Sequence, residues 1–249
     1  MASVRVGGLE FFGGAGSDGF YIEGEGLQGL LSGVDVKRDS VSRPQAHGDF
    51  DVPGFLESRV VSIAGPCLAD SAEKLSEYGR QITGLLADGA AMPVTFDVPG
   101  GPLWGMARLA AKTEFDVTLW GSQARYQLSL LFANPRLYGE AHGFEIGTYD
   151  LVNYGNFPAA PVYTVTGSSA GGYVVYGPAG KSFHVTRALN AGEIHTIDMA
   201  DGYLRVNGVV VYGGIGSPAN AWLVPGGGSV GVTVSDAAII TGRISDTYI

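Results

Sequence analysis

Glycine is the residue that most constrains how this chain can fold. Forty of its 249 residues are glycine and twelve are proline. They punctuate short apolar runs with no three-residue period, which excludes a collagen helix. A glycine inside a helix costs about 1 kcal/mol relative to alanine, so punctuation this dense favours short strands and tight turns. The second half obeys that constraint throughout. Runs at Tyr163–Gly167, Tyr173–Tyr176, Ser182–Arg187, Glu193–Asp198, Tyr203–Val206, Val209–Tyr212, Trp222–Val224, Ser229–Ser235 and Ala238–Arg243 alternate with turn-forming residues. Asn207-Gly208 between Val206 and Val209 is the strongest hairpin signal, because Asn-Gly accepts positive φ in a two-residue turn. This density of short strands reads as a β-sandwich.

The first half mixes strands with one helix. Strands are expected around Phe20–Glu23, Leu30–Val36 and Arg59–Ala64, the last closed by Gly65-Pro66. The helix is expected over Ser71–Ala87, with Asp70 and Glu73 capping its start. Leu75, Tyr78, Ile82, Leu85 and Leu86 form its apolar stripe. Gly79 and Gly84 weaken the helix and suit close approach to another backbone; Gly89 is a plausible stop. Four more strands follow, at Pro93–Val98, Leu103–Ala111, Glu114–Trp120 and Ala124–Phe132, before Asn134-Pro135 breaks the pattern. Between the halves, Leu151–Tyr163 carries an Asn/Gly turn and two prolines. Each proline fixes its own φ and biases its predecessor to extended backbone. Asn153, Asn156, Pro158 and Pro161 are therefore read as a stiff joint, giving modules at 1–140 and 161–249 with a linker at 141–160.

Composition removes several function classes. Net charge is −9, from 24 acidic and 15 basic residues. The basic residues are scattered, so neither a nucleic-acid grip nor sequence-specific reading is expected. Cys67 is the single cysteine, which precludes an internal disulfide and a thiolate metal site. No apolar run approaches the roughly 18 residues a membrane helix needs, so no membrane insertion is expected. Met1–Gly8 lacks the basic start and apolar core of a signal peptide, and synthesis in a cytoplasm is expected.

Motifs that resemble chemistry lose their context on inspection. Gly14–Gly19 spells a dinucleotide fingerprint, but a strand follows where a helix is required. Gly177–Ser182 resembles the end of a P-loop, yet Val175 stands where its first glycine belongs. Gly167–Gly171 and Gly227–Gly231 spell a nucleophile elbow, a device that needs a strand-to-helix turn. His47, His142, His184 and His195 lack helical metal spacing, although His184 and His195 could face each other across strands. Asp49-Phe50-Asp51 has too few oxygens for a calcium site. No cofactor is implied. The second-half aromatics suit core packing, with Trp222 kept as a candidate sugar contact.

The order of several motifs nevertheless resembles a known family. Arg43-Pro44-Gln45-Ala46-His47-Gly48, then Arg59–Gly65, then the helix ending in Leu85-Leu86, resembles the N-terminal domain of siphophage distal tail proteins, the sipho-tail or minor tail protein family. Leu130–Tyr138 resembles the segment closing that domain, with Asn134-Pro135 where Asp-Pro is frequent. Asn153–Pro161, Glu193–Asp198, Val206-Asn207-Gly208 and Ala221–Gly226 are similar to the family's C-terminal domain. The resemblance implies a mainly β protein with an N-terminal β-barrel-like α+β domain carrying one helix and a galectin-like C-terminal β-sandwich. It also implies a non-enzymatic structural virion protein at the tail tip, made in the host cytoplasm. Its partners would be itself in a hexameric ring, a tail-tube protein and tail-tip or receptor-binding proteins, with DNA crossing the lumen. Arg43, Pro44, His47 and Gly48 are expected in a loop reaching toward a neighbouring copy. The alternative is a carbohydrate-binding adhesion module acting through the sandwich.

Overall fold

The structure, a computed structural model, describes residues 2–14, 16–145, 150–235 and 238–249. Ala15 of the dinucleotide-like motif and residues 146–149 of the expected linker lie outside the described residues. The chain divides into two compact units, Met1–Leu137 with Ile249, and Tyr138–Tyr248.

The first unit contains β1 (Ser3–Val6), β2 (Leu9–Gly13), β3 (Gly19–Ile22), β4 (Leu27–Gln28), β5 (Val36–Lys37), β6 (Phe55–Leu56) and β7 (Arg59–Leu68). Helix α1 (Ala72–Gly84) follows, then β8 (Met92–Val98), β9 (Gly101–Leu109), β10 (Glu114–Leu119) and β11 (Gln123–Phe132). Strands β11, β7, β3, β2, β1, β8 and β9 lie side by side, and β9 pairs back onto β11 through Leu130↔Leu109 and Leu131↔Arg108. Seven strands thereby close into a barrel, which leaves no free sheet edge along that path. Strict alternation along β7 turns Val61, Ile63 and Cys67 inward, as the two-residue period of a strand requires. They meet Phe11, Phe20, Phe96, Leu128 and Phe132 in the core, where each large apolar side chain contributes about 1.5–3 kcal/mol. Gly105 is required at one crowded point, since a Cβ there would lie 2.9 Å from the Phe132 ring.

Helix α1 begins one residue later than the sequence suggested. Ser71, with extended backbone (φ −150°, ψ 161°), accepts the Lys74 N–H on its hydroxyl and is the cap. Asp70 instead lies 3.8 Å from the Lys74 ammonium. The helix stops at Gly84, because Leu85 is extended and Leu86 is left-handed at φ 59°. Gly79 does admit a close neighbour, but it is the Phe115 ring, 3.0 Å from where a Cβ would sit, and not a backbone.

The expected strand at Leu30–Val36 is absent, and Arg59 explains why. This side chain is only 3 % exposed. One terminal nitrogen donates to the carbonyls of Gly29, Leu30 and Ser32 at 2.8–2.9 Å, and its Nε donates to the Pro135 carbonyl at 3.0 Å. Carbonyls that converge on one cation cannot also run along a ladder. Burial pushes the guanidinium's pKa down from its ordinary value, and these four acceptors compensate the lost hydration.

The second unit contains β12 (Leu137–Glu145), β13 (Leu151–Val152), β14 (Val162–Thr166), β15 (Tyr173–Tyr176), β16 (Ser182–Val185), β17 (His195–Asp198), β18 (Leu204–Val206) and β19 (Val209–Val210). It continues with β20 (Ile215–Ala219), β21 (Ser229–Val230), β22 (Thr233–Val234) and β23 (Ile239–Tyr248). One sheet runs β12-β23-β14-β17-β18-β19 and the other β20-β16-β15-β22. Tyr163, Val165, Ile197, Leu204 and Ile240 from the first sheet share a core with Tyr173, Val175, Phe183 and Val185 from the second. The Asn207-Gly208 turn is as expected, with positive φ at both residues (49° and 83°) and Val206 opposite Val209. Trp222–Val224 is not a strand. It contributes a single bridge, Ala159↔Val224, and the Val224 carbonyl also accepts from the Asn153 amide.

His195 lies in this core without exposure. Its Nδ1 is 3.1 Å from the Tyr173 hydroxyl, and its Nε2 makes no hydrogen bond, the Glu193 carboxylate standing 3.9 Å away. Desolvation lowers its pKa, with Arg187 acting in the same sense and Glu193 opposing.

Two outcomes follow from these buried polar groups. Replacing Arg59 with Met orphans buried carbonyls and is expected to cost the first unit about 3 kcal/mol, read as a lower urea midpoint. Arg59→Lys should recover only part, since an ammonium cannot reproduce the fork. For His195 the folded protein favours the neutral ring, so its stabilising contribution is complete above the ordinary histidine pKa of about 6.5. It is lost as pH falls below that value. Urea midpoints between neutral and mildly acidic pH should decline less steeply for His195→Gln than for the unaltered chain.

Candidate assembly surface

The four residues expected to reach toward a neighbour lie together at the tip of an arm. Residues 36–56 form a long hairpin leaving the barrel between β4 and β7. At its base β5 pairs with β6, and the Glu57 N–H donates to the Asp35 carbonyl at 2.8 Å. Farther out, Ser42 bridges Asp49 and the Phe50 N–H donates to the Val41 carbonyl at 2.9 Å. The Ser40 hydroxyl donates to the Asp49 carboxylate at 2.6 Å. Arg43 closes the tip through its N–H to the Gly48 carbonyl at 3.2 Å, and its guanidinium sits 5.7 Å from the centre of the Phe50 ring. Gln45 and Gly48 turn the chain with φ of 59° and 80°. Arg43, Pro44, His47 and Gly48 are all exposed.

The arm carries apolar side chains that water does not favour. Phe55 is 73 % exposed and Phe50 53 %, and Val36 and Val41 are also more than half exposed. A two-stranded hairpin standing alone is marginal in water, so this arm calls for something to pack against. The sequence signal was present but easily misread. Phe50 sits between two aspartates, a pattern that draws attention to cation binding instead of to the ring between them. Among the described residues no group of three His, Cys, Asp or Glu is placed to hold a metal.

A groove of about 750 Å³ is lined by Leu27, Leu30, Leu31, Val98 and Pro99, among others. Leu31 is 85 % exposed at its lip. Gly29, Leu30 and Ser32, whose carbonyls Arg59 gathers, are among its lining residues.

The other sequence-selected residues serve structure. Asn153, Asn156, Pro158 and Pro161 lie within the second unit. Asn153 is fully buried: its amide donates to the carbonyls of Phe157, Val224 and Pro225, and its carbonyl oxygen accepts the N–H groups of Gly155 and Thr247. Gly155 is obligatory there, since a Cβ would fall 2.0 Å from the Thr247 carbonyl oxygen. Trp222, the candidate sugar contact, is 2 % exposed, and its indole N–H donates to the Tyr163 hydroxyl at 2.9 Å. An indole so enclosed presents no face for a sugar ring.

The chemical-looking motifs resolve likewise. After Gly14–Asp18 the chain enters β3, parallel to β2. Asp18 is anchored by the Lys74 ammonium at 2.6 Å and the Tyr78 hydroxyl at 3.1 Å, and the first of these chiefly holds its carboxyl below the usual range. Gly177 lies flat against the Trp222 indole, where a Cβ would approach to 2.8 Å, and a single 3-10 turn over Pro178–Gly180 leads from it into β16. His184 and His195 belong to different sheets, on β16 and β17, so they do not face each other across paired strands. Cys67 is buried, and desolvation pushes its thiol up to about 12. No helix among the described residues is long and apolar enough to cross a membrane.

No protein-family model matches this sequence, and no curated protein matches it. Solved structures do. Two structures of the phage p2 baseplate in its activated conformation, with strontium and with calcium, align over 89 % of this chain at 8 % identity, with TM-scores of 0.43 and 0.44; each match spans 88 % of the baseplate chain. SPP1 Dit (gp 19.1), described as a paradigm of the hub adsorption apparatus in phages infecting Gram-positive bacteria, aligns over 100 % of both chains at 13 % identity with a TM-score of 0.75. From end to end, this chain has the fold of a phage distal tail hub protein.

Proposed function

We propose that this protein is a structural component of a phage tail tip, a distal tail hub whose barrel units associate into a closed ring. The observation that carries the reading is the exposed apolar arm on a barrel with the fold of SPP1 Dit. In a ring each copy offers one surface and receives a different one, and the rotation between them must close. An arm projecting from one place on the barrel suits that heterologous geometry. In this reading the ring is hexameric, it joins a tail-tube protein to tail-tip or receptor-binding proteins, and DNA crosses its lumen. The chain is made in the host cytoplasm and ends in the virion. The second unit is a galectin-like sandwich on the ring's periphery.

The acidic balance of the chain supports passage of DNA over retention, because tight DNA binding requires clustered cations that release counterions. The role is structural and not catalytic: the motifs that spell enzyme chemistry are turns and packing points. Carbohydrate adhesion through Trp222 has no support from a side chain sealed in the core.

Light scattering over a concentration series, with negative-stain imaging of the largest species, tests this reading. Rings with peripheral lobes are expected at high concentration. Phe50→Asp places a charge where the arm must be desolvated and should abolish them without lowering the urea midpoint; Arg43→Glu should weaken them. A monomer at every concentration, or rings indifferent to both substitutions, would contradict the arm-mediated hub.

A further inference from the structure

We propose that the outward face of the six-stranded sheet of the second unit, at Tyr203, Arg205 and Tyr212, binds a neutral oligosaccharide. This binding function goes beyond assembly and uses neither the arm nor the groove.

The sheet builds the site by alternation. Tyr163, Val165, Ile197, Leu204 and Ile240 point into the core, so the residues between them face away from it. Strand registers place Thr241, Thr164, Thr196, Arg205 and Val210 in one transverse row, and all five are at least partly exposed. With strands about 4.8 Å apart, the row spans about 19 Å, enough for a short oligosaccharide laid across the strands. Two tyrosines stand beside its end. Tyr203 immediately precedes β18 and is 46 % exposed; Tyr212 follows β19 by two residues and is 88 % exposed. The Val211 N–H donates to the Leu204 carbonyl at 2.9 Å and so prolongs the β18-β19 ladder. The two rings are thereby held with centres 6.3 Å apart and planes at 74°.

One carboxylate orders the polar part. Asp201 accepts the Tyr203 N–H at 2.9 Å and both terminal nitrogens of Arg205. Arg205 in turn holds the Asp201 carboxyl below its usual range. A guanidinium has five N–H donors, so several remain for a ligand after this pairing. Fixing the guanidinium in advance lowers the ordering cost of binding.

The chemistry of the face selects the ligand. A sugar ring presents C–H groups on its faces and hydroxyls around its rim. Tyrosine gives a broad, stiff contact for the former at little entropic cost. Threonine hydroxyls both donate and accept, and with Arg205 they suit the rim. Charge agrees: Arg205 and Asp201 cancel, whereas the chain as a whole carries −9 and repels acidic polymers. Area argues against a protein partner. The exposed parts of the two rings amount to roughly 270 Å² by ordinary side-chain areas. That is about a third of the ~800 Å² each partner of a stable protein interface buries, and the remainder of the row is mostly hydroxyls and an ion pair.

Affinity electrophoresis of the dilute full chain tests the site, with galactomannan, amylose, mannan or mixed-linkage β-glucan cast in the gel. At least one is expected to slow migration, equally at low and high salt, since a neutral ligand offers no charge to screen. Tyr212→Ala and Tyr203→Ala should each weaken the retention by about tenfold or more, and Tyr203→Phe, which keeps the ring, should preserve most of it. Tyr212 is so exposed that its replacement should leave the urea midpoint and the rings unchanged. Slowing by none of the four polysaccharides, or slowing indifferent to both alanine variants, would overturn the assignment. Rings lost in Tyr212→Ala without any slowing would make this face a protein contact and overturn it equally, leaving the hub reading in place.

Discussion

Burial of one cation without a carboxylate shapes the first unit more than any other interaction. Arg59 sits at the start of a barrel strand and is sealed from water. A lysine or a free ammonium in that place would be costly to desolvate. A guanidinium survives because its fork of donors collects several carbonyls at once. The carbonyls it collects belong to a loop that would otherwise be free to pair as a strand, and to Pro135 at the end of the barrel. The loop is therefore held in an irregular course, and its residues line a groove. The strand that fails to form and the surface that results have the same cause.

The second unit uses the same device with a neutral group. Asn153 satisfies three carbonyls and two N–H groups, from its own turn at Gly155 and Phe157 and from the remote Val224, Pro225 and Thr247. Trp222 then covers the core, with its N–H bonded to Tyr163 and Gly177 flat against its ring. Polar groups buried in this way are stabilising only when every partner is present, so they specify one arrangement of loops over the sheets. His195 departs from that rule by leaving one ring nitrogen without a hydrogen bond, which makes the core around it sensitive to acid.

What could be read from the sequence divides along physical lines. Strands with clean alternation, such as Arg59–Ala64 and Ala124–Phe132, and turns with one stereochemical solution, such as Asn207-Gly208, were legible because the signal is local. Gly65-Pro66 does not close its strand: β7 runs through both residues to Leu68, with Gly65 and Pro66 paired to Tyr126 and Arg125. The helix was legible, and its cap was displaced by a residue because Ser71 and Asp70 are equally able acceptors. Leu30–Val36 was misread because its backbone answers to Arg59, a residue far along the chain whose burial no local pattern announces. Trp222–Val224 was misread because a Trp-containing apolar run serves as well to cap a core as to form a strand. The arm tip at Arg43–Gly48 was anticipated only through family resemblance. Its apolar residues are isolated among charges, a pattern that reads as a solvated loop until the hairpin sets Val41 opposite Phe50. Asn153 and Asn156 suggested a joint because turns and prolines look alike whether they separate modules or knit one together.

The central claim is that the arm is unfinished in the single chain and completed by assembly. Amide hydrogen exchange, followed by mass spectrometry in dilute and in concentrated protein, tests it most directly. Residues 36–56 should exchange quickly in the dilute sample, since few of their amides are bonded and none is sheltered. In the concentrated sample they should become protected, while the barrel strands hold their protection in both. Identical exchange of the arm in the two samples, or protection that appears elsewhere while rings form, would contradict the account.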